Sequence, residues 1–413
     1  MNKVCALAVL MLAASVPAQA ALSLKESFQS ARLNMESIKR ADATIEQSEA
    51  FKSRARAAIL PTVSGVGSMT EIDRPDAAGS SPFLLTRQHS AAIRFSQPLL
   101  RGGSLSAYDL AKDTVLLSRY QKDATEINLY QLVINSYYNL NIAQVDKQNV
   151  EVLLKFSRER VKEIADRAKI GRSRKGELVE AEAQLLTAES QYHQTLIRLE
   201  EAERTFEFYT KLKPSVIEVQ MDIPKLQGTL GEYLLKVRDR PDILATRQQA
   251  RVADRQISIA KGGHYPSLDL TGNYYLSRTG VLETSDWDVG LAVVIPLYQG
   301  GGVSAAVKEA AQGKRIAELN SSEAQRAAER DVTINFQNIV HLTEQVKVLK
   351  KALAKAEEAY KLNKKDYQYG LVTNLDVLQS LNIFIETKRS YNSLVSITHL
   401  NYKNLEAATG VLP

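Results

Sequence analysis

The sequence predicts an α+β fold in which long antiparallel coiled-coil hairpins are joined to four β-strands. Three observations predict this fold. One pattern occurs twice at a spacing of about 200 residues, each copy contains a stretch of more than 60 residues without proline, and each copy contains two segments in which apolar and polar residues alternate. Long helical periodicity is typical of coiled coils, and alternation is typical of strands with one apolar face.

The first 20 residues have the features of a secretory signal peptide. Lys3 precedes an apolar run from Val4 to Val16, and Ala18-Gln19-Ala20 supplies small residues for cleavage. This order predicts export, with an apolar core helix as the alternative. Cleavage after Ala20 lowers the net charge from +6 to +5 and removes Cys5, the one cysteine. Disulfides, thiolate metal sites and cysteine nucleophiles are therefore excluded from the mature chain.

The internal repeat is visible in landmarks that are far apart in each copy. Gly171 corresponds to Gly370 and Tyr192 to Tyr391, both at an offset of 199, and Pro98 corresponds to Pro296 at 198. A period this long is not that of a solenoid. It predicts the duplication of a whole half-domain.

The repeat divides the chain into segments of predictable type. The predicted organisation is a signal peptide (1–20), a first structural repeat (21–212), a connector (213–230) and a second structural repeat (231–413). Each repeat begins with a helix, about Ser23 to Ala58 and Gly231 to Lys261. The parts that follow are a strand pair (62–97 and 267–295), a long helix (104–169 and 303–369) and a returning helix (176–210 and 375–409).

The strand segments each present one apolar face. Leu268 and Leu270 alternate with Asp269 and Thr271, for example. The residues predicted to form the apolar face of the four strands are Ile93, Phe95, Leu268, Leu270, Val289, Leu291 and Val293. Such a face either packs on a helix in a soluble protein or contacts lipid in a membrane barrel, and the strand pattern by itself leaves both open.

The two long helices are too long for a compact domain. Ser104 to Lys169 is 66 residues and Val303 to Tyr369 is 67, so each helix would be roughly 100 Å long. Apolar residues at coiled-coil spacing predict that they pack against the returning helices. Gly370 ends one helix and Asn374-Leu375-Asp376 begins the next, because glycine favours a helix end and Asn or Asp a helix start. Gly171 to Gly176 is the equivalent tip of the first repeat.

Four strands are too few for a closed membrane barrel. Single-chain bacterial barrels have at least eight strands, and open sheet edges are not tolerated in lipid. If the strands are in a membrane, the chain must therefore oligomerise, and cyclic symmetry is the default. Two copies would supply eight strands and three copies twelve.

Over essentially the whole mature chain, the pattern resembles the TolC-like outer membrane efflux protein family. The residues that carry the resemblance are Pro61 and Pro266 before the strands, Pro98-Leu99 with Gly102-Gly103 and Pro296-Leu297 with Gly300-Gly301-Gly302 before the long helices, the segment from Tyr369 to Leu378, Tyr391 and Gly410. The resemblance implies a homotrimer in the bacterial outer membrane, with a twelve-stranded β-barrel in lipid and a twelve-helix α-barrel in the periplasm.

The resemblance also implies a function and partners. It implies the exit duct of a tripartite efflux or type I secretion system, assembled with a periplasmic adaptor protein and an inner-membrane pump. The seven residues of the apolar strand face would then contact outer-membrane lipid. Such a duct is not an enzyme and needs no cofactor, and the choice of exported substrate resembles a property of the pump.

The helical tips are the adaptor-contacting sites that the resemblance implies. Gly370, Leu371 and Val372 match the Gly-Leu-Val turn of the family, and Gly171 and Arg172 occupy the equivalent tip. The first tip departs from the family because Arg172, Arg174 and Lys175 make it basic. This departure leaves two alternatives open. The adaptor contact at that tip is weaker, or the partner surface that meets the tip is acidic.

The resemblance places the pore constriction at the same end of the molecule. The implied constriction residues are Asp376, Gln379, Glu177 and Tyr367. A ring of Asp376 side chains would favour cations, and Tyr367 could hydrogen-bond to a neighbouring helix and hold the tip shut. Alternatively, Asp376 and Glu177 are acids stabilised by a helix N-terminus, and Tyr367 is an ordinary coiled-coil residue.

Other classes of protein receive little support. The five histidines are scattered without H-E-x-x-H spacing, and neither a G-x-S-x-G motif nor a phosphate-binding loop is present, so no catalytic, metal or nucleotide site is predicted. The charge is spread along the chain and gives no nucleic-acid footprint. The alternative to a duct is a soluble periplasmic coiled-coil adaptor or a structural spacer without a pore.

Overall fold

The computed structural model describes residues 22–71, 87–217, 222–279 and 283–413. The predicted signal peptide, residues 1–20, lies outside the described residues. The helices and strands within these ranges are α1 (Leu24–Asn34), α2 (Glu36–Ala57), β1 (Thr62–Glu71), β2 (Arg87–Leu100), α3 (Ser104–Lys169), α4 (Lys175–Thr210), α5 (Leu230–Lys236), α6 (Pro241–Lys261), β3 (Ser267–Arg278), β4 (Trp287–Val294), α7 (Gly302–Gln368) and α8 (Asn374–Ala408). None of the helices in these ranges combines the length and the apolarity that crossing a membrane requires.

The first helical part of each repeat is interrupted, where the sequence predicted a single helix. Met35 is extended, with φ −68° and ψ 135°, and separates α1 from α2. In the second repeat Arg240 is extended and separates a short 3₁₀ turn from α6, whose first residue is Pro241. Proline disfavours a helical conformation of the residue before it and fits the first position of a helix. The second interruption therefore has a local cause in the sequence.

The strands within the described residues form one antiparallel sheet in the order β1-β2-β3-β4. The sequence predicted one strand pair in each repeat, and the structure joins the two pairs because β2 of the first repeat pairs with β3 of the second. The outer edges of β1 and β4 are unpaired within this sheet. Both repeats therefore contribute to a single sheet with two free edges.

The sheet and the helices meet where two backbones touch. A Cβ atom on Gly102 would lie 1.9 Å from the carbonyl oxygen of Gly262, and a Cβ on Gly262 would lie 2.4 Å from the backbone of Gly102 and Gly103. Only glycine fits both positions without moving the main chain. The turn between β2 and α3 is thus held directly against the end of α6.

The long helices run from this junction to the tips and form two antiparallel hairpins, α3 with α4 and α7 with α8. Contacts between α3 and α8 join the hairpins, so the packing order near the tips is α4-α3-α8-α7. Helix α3 has 24 buried residues and α7 has seven. The difference follows from position, because α3 has neighbours on both sides within the chain and α7 lies at an outer edge near the tips.

The seam between α3 and α8 contains a series of polar side-chain contacts in addition to apolar packing. From the sheet side towards the tips the pairs are Asn404 with Asn135 (3.4 Å), Ser396 with Asn141 (2.7 Å), Arg389 with Asp146 (2.6 Å) and Asn392 with Asn149 (3.5 Å). The largest apolar cluster lies at the sheet-side end of this seam, around Tyr130, Phe28 and Phe206. The two repeats are therefore held in one register along their central helices.

Candidate functional site

The second tip is a tight turn with a capped helix. Gly370 has φ 73°, and the amide of Leu371 donates to the carbonyl of Asp366 at 3.0 Å. The Thr373 hydroxyl and amide both donate to Asp376 Oδ2, at 2.6 and 2.8 Å, and the Asp376 amide donates back to Thr373 Oγ1 at 3.4 Å. This reciprocal capping box satisfies the first amides of α8. The donors from Thr373 also hold the pKa of the Asp376 carboxyl below its usual 3.8.

Two predicted constriction residues lie together on the surface of this tip. Asp376 and Gln379 are both exposed and line one groove between α7 and α8 with the turn from Gly370 to Thr373. Leu371 is 73% exposed in the same turn, and Val372 is half-buried. Apolar and acidic groups are therefore adjacent at this tip.

The first tip has the same shape and a different chemistry. Gly171 has φ 75°, and Arg172, Arg174 and Lys175 are exposed. Arg174 occupies the cap position of α4 without a capping hydrogen bond from its side chain, and cations at a helix N-terminus are unfavourable. Glu177, another predicted constriction residue, accepts a hydrogen bond from the Ser173 hydroxyl. Glu177 thus lies at the other tip from Asp376 within one chain.

Tyr367 does not line the surface groove. It is buried, and its ring lies under two guanidinium groups, with Arg160 Cζ 3.8 Å and Arg167 Cζ 4.5 Å from the ring centroid. Arg160 also donates from Nε to Asn374 Oδ1 at 2.8 Å and pairs with Glu163 at 2.8 Å. Tyr367 therefore holds the hairpins together through cation–π contacts with α3, and its hydroxyl makes no hydrogen bond within the described residues.

The sequence analysis did not single out Arg160, and it identified Asn374 only as part of a helix start. Arg160 is only 7% exposed and Asn374 is fully buried. Arg160 lies on a buried face of α3 with Leu153, Ser157 and Ile164, and a charged residue at such a position was the signal that could have found it. Its partner is more than 200 residues away in the chain, so the contact itself has no local signature.

The sheet places the predicted apolar residues on one face, which also carries His89 and Gln97. The strand register places all seven, Ile93, Phe95, Leu268, Leu270, Val289, Leu291 and Val293, on one face. Val63, Met69, Tyr274 and Trp287 share that face and are exposed. All residues of β4 are exposed, so neither a helix nor a second sheet formed by the described residues covers it.

The opposite face of the sheet carries a hydrogen-bonded polar row. Arg94 donates from Nε to Asn273 Oδ1 at 3.0 Å, and Asn273 donates from Nδ2 to Asp288 Oδ1 at 2.8 Å. The Tyr275 hydroxyl donates to Asp288 Oδ2 at 2.6 Å. One face of the sheet is thus suited to an apolar medium and the other to water.

The chain is similar to known proteins in sequence and in fold. The family model described as "Outer membrane efflux protein" matches residues 28–209 and 237–411. The chain is 26% identical over 363 residues to the outer membrane protein TolC of Vibrio cholerae, covering 84% of this chain and 80% of that protein. It is 24% identical over 417 residues to the pyoverdine export outer membrane protein OpmQ of Pseudomonas aeruginosa, covering 94% of this chain and 84% of that protein.

The fold is also similar to solved structures. The crystal structure of the outer membrane protein VceC from Vibrio cholerae matches with a TM-score of 0.83 at 20% identity, covering 94% of this chain and 96% of that chain. The outer membrane channel CmeC of Campylobacter jejuni matches with a TM-score of 0.83 at 19% identity, covering 94% and 85%.

Proposed function

This chain belongs to the outer membrane efflux protein family, and on that basis we propose that three copies of it form the exit duct of a tripartite efflux or type I secretion system. As a family member it is a passive outer-membrane transport duct and not an enzyme. The number of copies, the partners and the residues of the constriction are the parts that we propose.

The division of the sheet into an apolar and a polar face carries the proposal. Transmembrane β-barrels alternate apolar residues towards lipid with polar residues towards the lumen. We infer that Leu268, Leu270, Val289, Leu291 and Val293 contact lipid together with Ile93 and Phe95. Arg94 and Asp288 on the other face would line the lumen.

The free edges of the sheet support a closed assembly of copies. In lipid each edge must find a hydrogen-bonding partner, and β1 of one copy is the available partner for β4 of the next. Three copies give twelve strands, above the minimum of eight for bacterial barrels. The α-hairpins of three copies would then form a twelve-helix tunnel on the periplasmic side.

The tips are the proposed contacts with a periplasmic adaptor, which links the duct to an inner-membrane pump. The turn at Gly370, Leu371 and Val372 offers an exposed apolar group, and the tip at Gly171 and Arg172 offers positive charge. We infer that the two tips meet different surfaces of the adaptor, one apolar and one acidic. Selection of the exported substrate would lie in the pump.

We propose that the tunnel is narrowest at the same end. Asp376 and Gln379 are exposed there, and Glu177 lies at the neighbouring tip. Tyr367 is at the same end, where its ring contacts the guanidinium of Arg160. Because a narrow ring of carboxylates concentrates negative potential, the closed tip would favour cations.

Fractionation and conductance test the proposal. The full chain, expressed in a bacterial host, is expected in the detergent-extracted outer-membrane fraction, with the mass of three copies and with ion conductance in planar bilayers. Recovery as a soluble periplasmic monomer would favour the adaptor reading. Membrane recovery without conductance would favour the spacer. The chain itself argues against an adaptor, which should have one helical hairpin and no strand pairs.

A further inference from the structure

Among the helices of the described residues, the two outer ones of the bundle have no helical neighbour on one side near the tips. The packing order α4-α3-α8-α7 leaves α4 and α7 at the ends. The two tips lie level, because Gln184 of α4, 13 residues after Gly171, donates to Asn382 of α8, 12 residues after Gly370, at 2.9 Å. Positions on α4 and α7 at equal distance from their tip glycines therefore lie at about the same height.

The two outer helices carry opposite charge over the same heights. Residues 176–197 of α4 contain four glutamates and neither lysine nor arginine, whereas residues 347–365 of α7 contain seven lysines and two glutamates. At 1.5 Å per residue the α4 segment lies roughly 8–39 Å from its tip and the α7 segment roughly 8–35 Å from its tip. Lys350, Lys351, Lys364 and Lys365 are exposed, as are Glu180 and Glu182.

Each outer helix also exposes an apolar column at seven-residue spacing. On α4 the column contains Val179 and Leu186, and on α7 it contains Val348 and Leu362 with Lys355 midway. Seven-residue spacing places these side chains on one side of each helix, as in a coiled coil. Exposed large apolar residues in a regular column indicate a partner.

The charges accompany these columns. Glu182 and Glu189 follow Val179 and Leu186 by three residues, which places them beside the column. Glu182 is exposed, whereas Glu189 is half-buried and also pairs with Arg158 of α3 at 3.3 Å. On α7, Lys351 follows Val348 by three residues in the same way. Charges of opposite sign beside facing apolar columns select the partner and its orientation in coiled coils.

We propose that α4 of one copy and α7 of the next form an antiparallel coiled-coil seam whose pairing is set by these opposite charges. The inference rests on the proposed assembly of copies and identifies the surfaces that meet in it. Within the chain the α3–α8 seam has buried polar pairs, such as Ser396 with Asn141. The seam between copies is instead flanked by exposed charges, so it is the part of the tunnel wall most sensitive to salt.

A cysteine scan tests the register of the seam. In a Cys5→Ser background, V179C is combined in turn with cysteine at Val348, Lys355, Leu362 or Tyr369, which span the exposed column of α7. Val179 and Leu362 are both eight residues from their tip glycines, so disulfide-linked trimers should be most abundant for V179C/L362C. They should be at least about tenfold less abundant with V348C, because two Cα atoms more than 7 Å apart cannot be bridged.

Charge exchange tests the pairing. We expect E182K/E189K and K351E/K355E each to weaken the association of copies by about tenfold or more, since like charges now face each other. The fourfold variant should return close to the original affinity. The matched control is E151K/E159K on α3, which reverses one ion-paired and one unpaired glutamate on a helix flanked by its own chain.

The outcomes separate this inference from the proposed function. If the wild-type chain assembles and conducts but no α7 cysteine links to V179C, the seam is wrong and the duct stands. If the fourfold variant is as weak as the two double variants, the charges do not set the pairing. If the wild-type chain neither assembles nor conducts, the proposed function itself fails.

Discussion

At the scale of single residues, Arg160 links the two tips. Its guanidinium lies on the Tyr367 ring and bonds Asn374, so that α3 holds both the end of α7 and the start of α8. Within the part of the chain that the structure describes, the other terminal nitrogen of Arg160 and the amide nitrogen of Asn374 have no hydrogen-bond partner. Buried polar groups in such a state are costly and sensitive to change. Loosening the second tip should therefore begin at this contact.

Removing the guanidinium should loosen the second tip selectively. Arg160→Ala leaves the Asn374 oxygen unpaired and takes away the cation over Tyr367, which together should cost about 2–3 kcal/mol. Hydrogen exchange of the backbone from Tyr367 to Asp376 should then become faster by about two orders of magnitude. Tyr367→Phe keeps the ring and is the matched control. Equal exchange in Arg160→Ala and wild type would show that the contact does not hold the tip.

The helix cap and a ring of carboxylates in the pore would have opposite effects on the pKa of Asp376. The donors from Thr373 lower the pKa of Asp376, whereas a ring of neighbouring carboxylates would raise it. Because the pKa is lowered, the cap is fully formed above the ordinary value of 3.8 and is lost as the pH falls through the lowered one.

We expect Asp376→Asn to reduce cation preference, measured as the reversal potential in a KCl gradient. Thr373→Ala should leave the preference intact at pH 7 and shift its loss on acidification to higher pH. An unchanged reversal potential in Asp376→Asn would assign this side chain to the helix cap alone.

At the scale of secondary-structure elements, the sequence predicted the long helices well because their determinants are local. Helix α3 begins and ends at the expected residues, and α7 begins one residue before Val303 and ends one before Tyr369. The break at Met35 was missed because neither proline nor glycine marks it. Pairing of β2 with β3 was missed because it joins segments about 180 residues apart, and nothing local specifies it.

The glycine contact at the sheet–helix junction should tolerate no added side chain. We expect Gly102→Ala or Gly262→Ala to destabilise the protein by roughly 3 kcal/mol, because the new Cβ would overlap main-chain atoms. Gly176, in the first turn of α4, has open space around its Cβ direction. Gly176→Ala should change stability by less than about 1 kcal/mol. Thermal denaturation followed by circular dichroism compares the three, and equal midpoints would contradict the close approach.

At the scale of the whole molecule, adjacent residues of β4 provide the test of membrane orientation. Leu291 lies on the apolar face, and Ala292 lies on the polar face opposite Asp269. Leu291→Arg should cost roughly 2–4 kcal/mol at the bilayer midplane and reduce membrane insertion. Ala292→Arg places the same charge near an acid and should insert normally. Folded protein in lipid vesicles, assayed by protease protection, measures both, and equal insertion would contradict the assignment of the faces.

The sequence predicted the apolar face of the sheet but not how the parts are joined. All seven face residues followed from two-residue periodicity, which depends only on local backbone geometry. Of the predicted constriction residues, Asp376 and Gln379 lie together, while Tyr367 is buried against Arg160. Helical periodicity could place Tyr367 on an apolar stripe but could not identify which distant helix covers it.

The unequal burial of the two long helices has a genetic consequence. A damaging substitution in α3 affects residues buried within one chain, so the faulty copy should fail to fold and leave a normal allele unaffected. A substitution on the exposed column of α7 should leave the copy folded, and its α4 could still pair with a neighbouring copy. In a cell that makes both the normal and the altered chain, altered copies would assemble with normal ones, and the mixed oligomers would be defective. Lesions in α3 should therefore be recessive, and lesions on the outer face of α7 dominant.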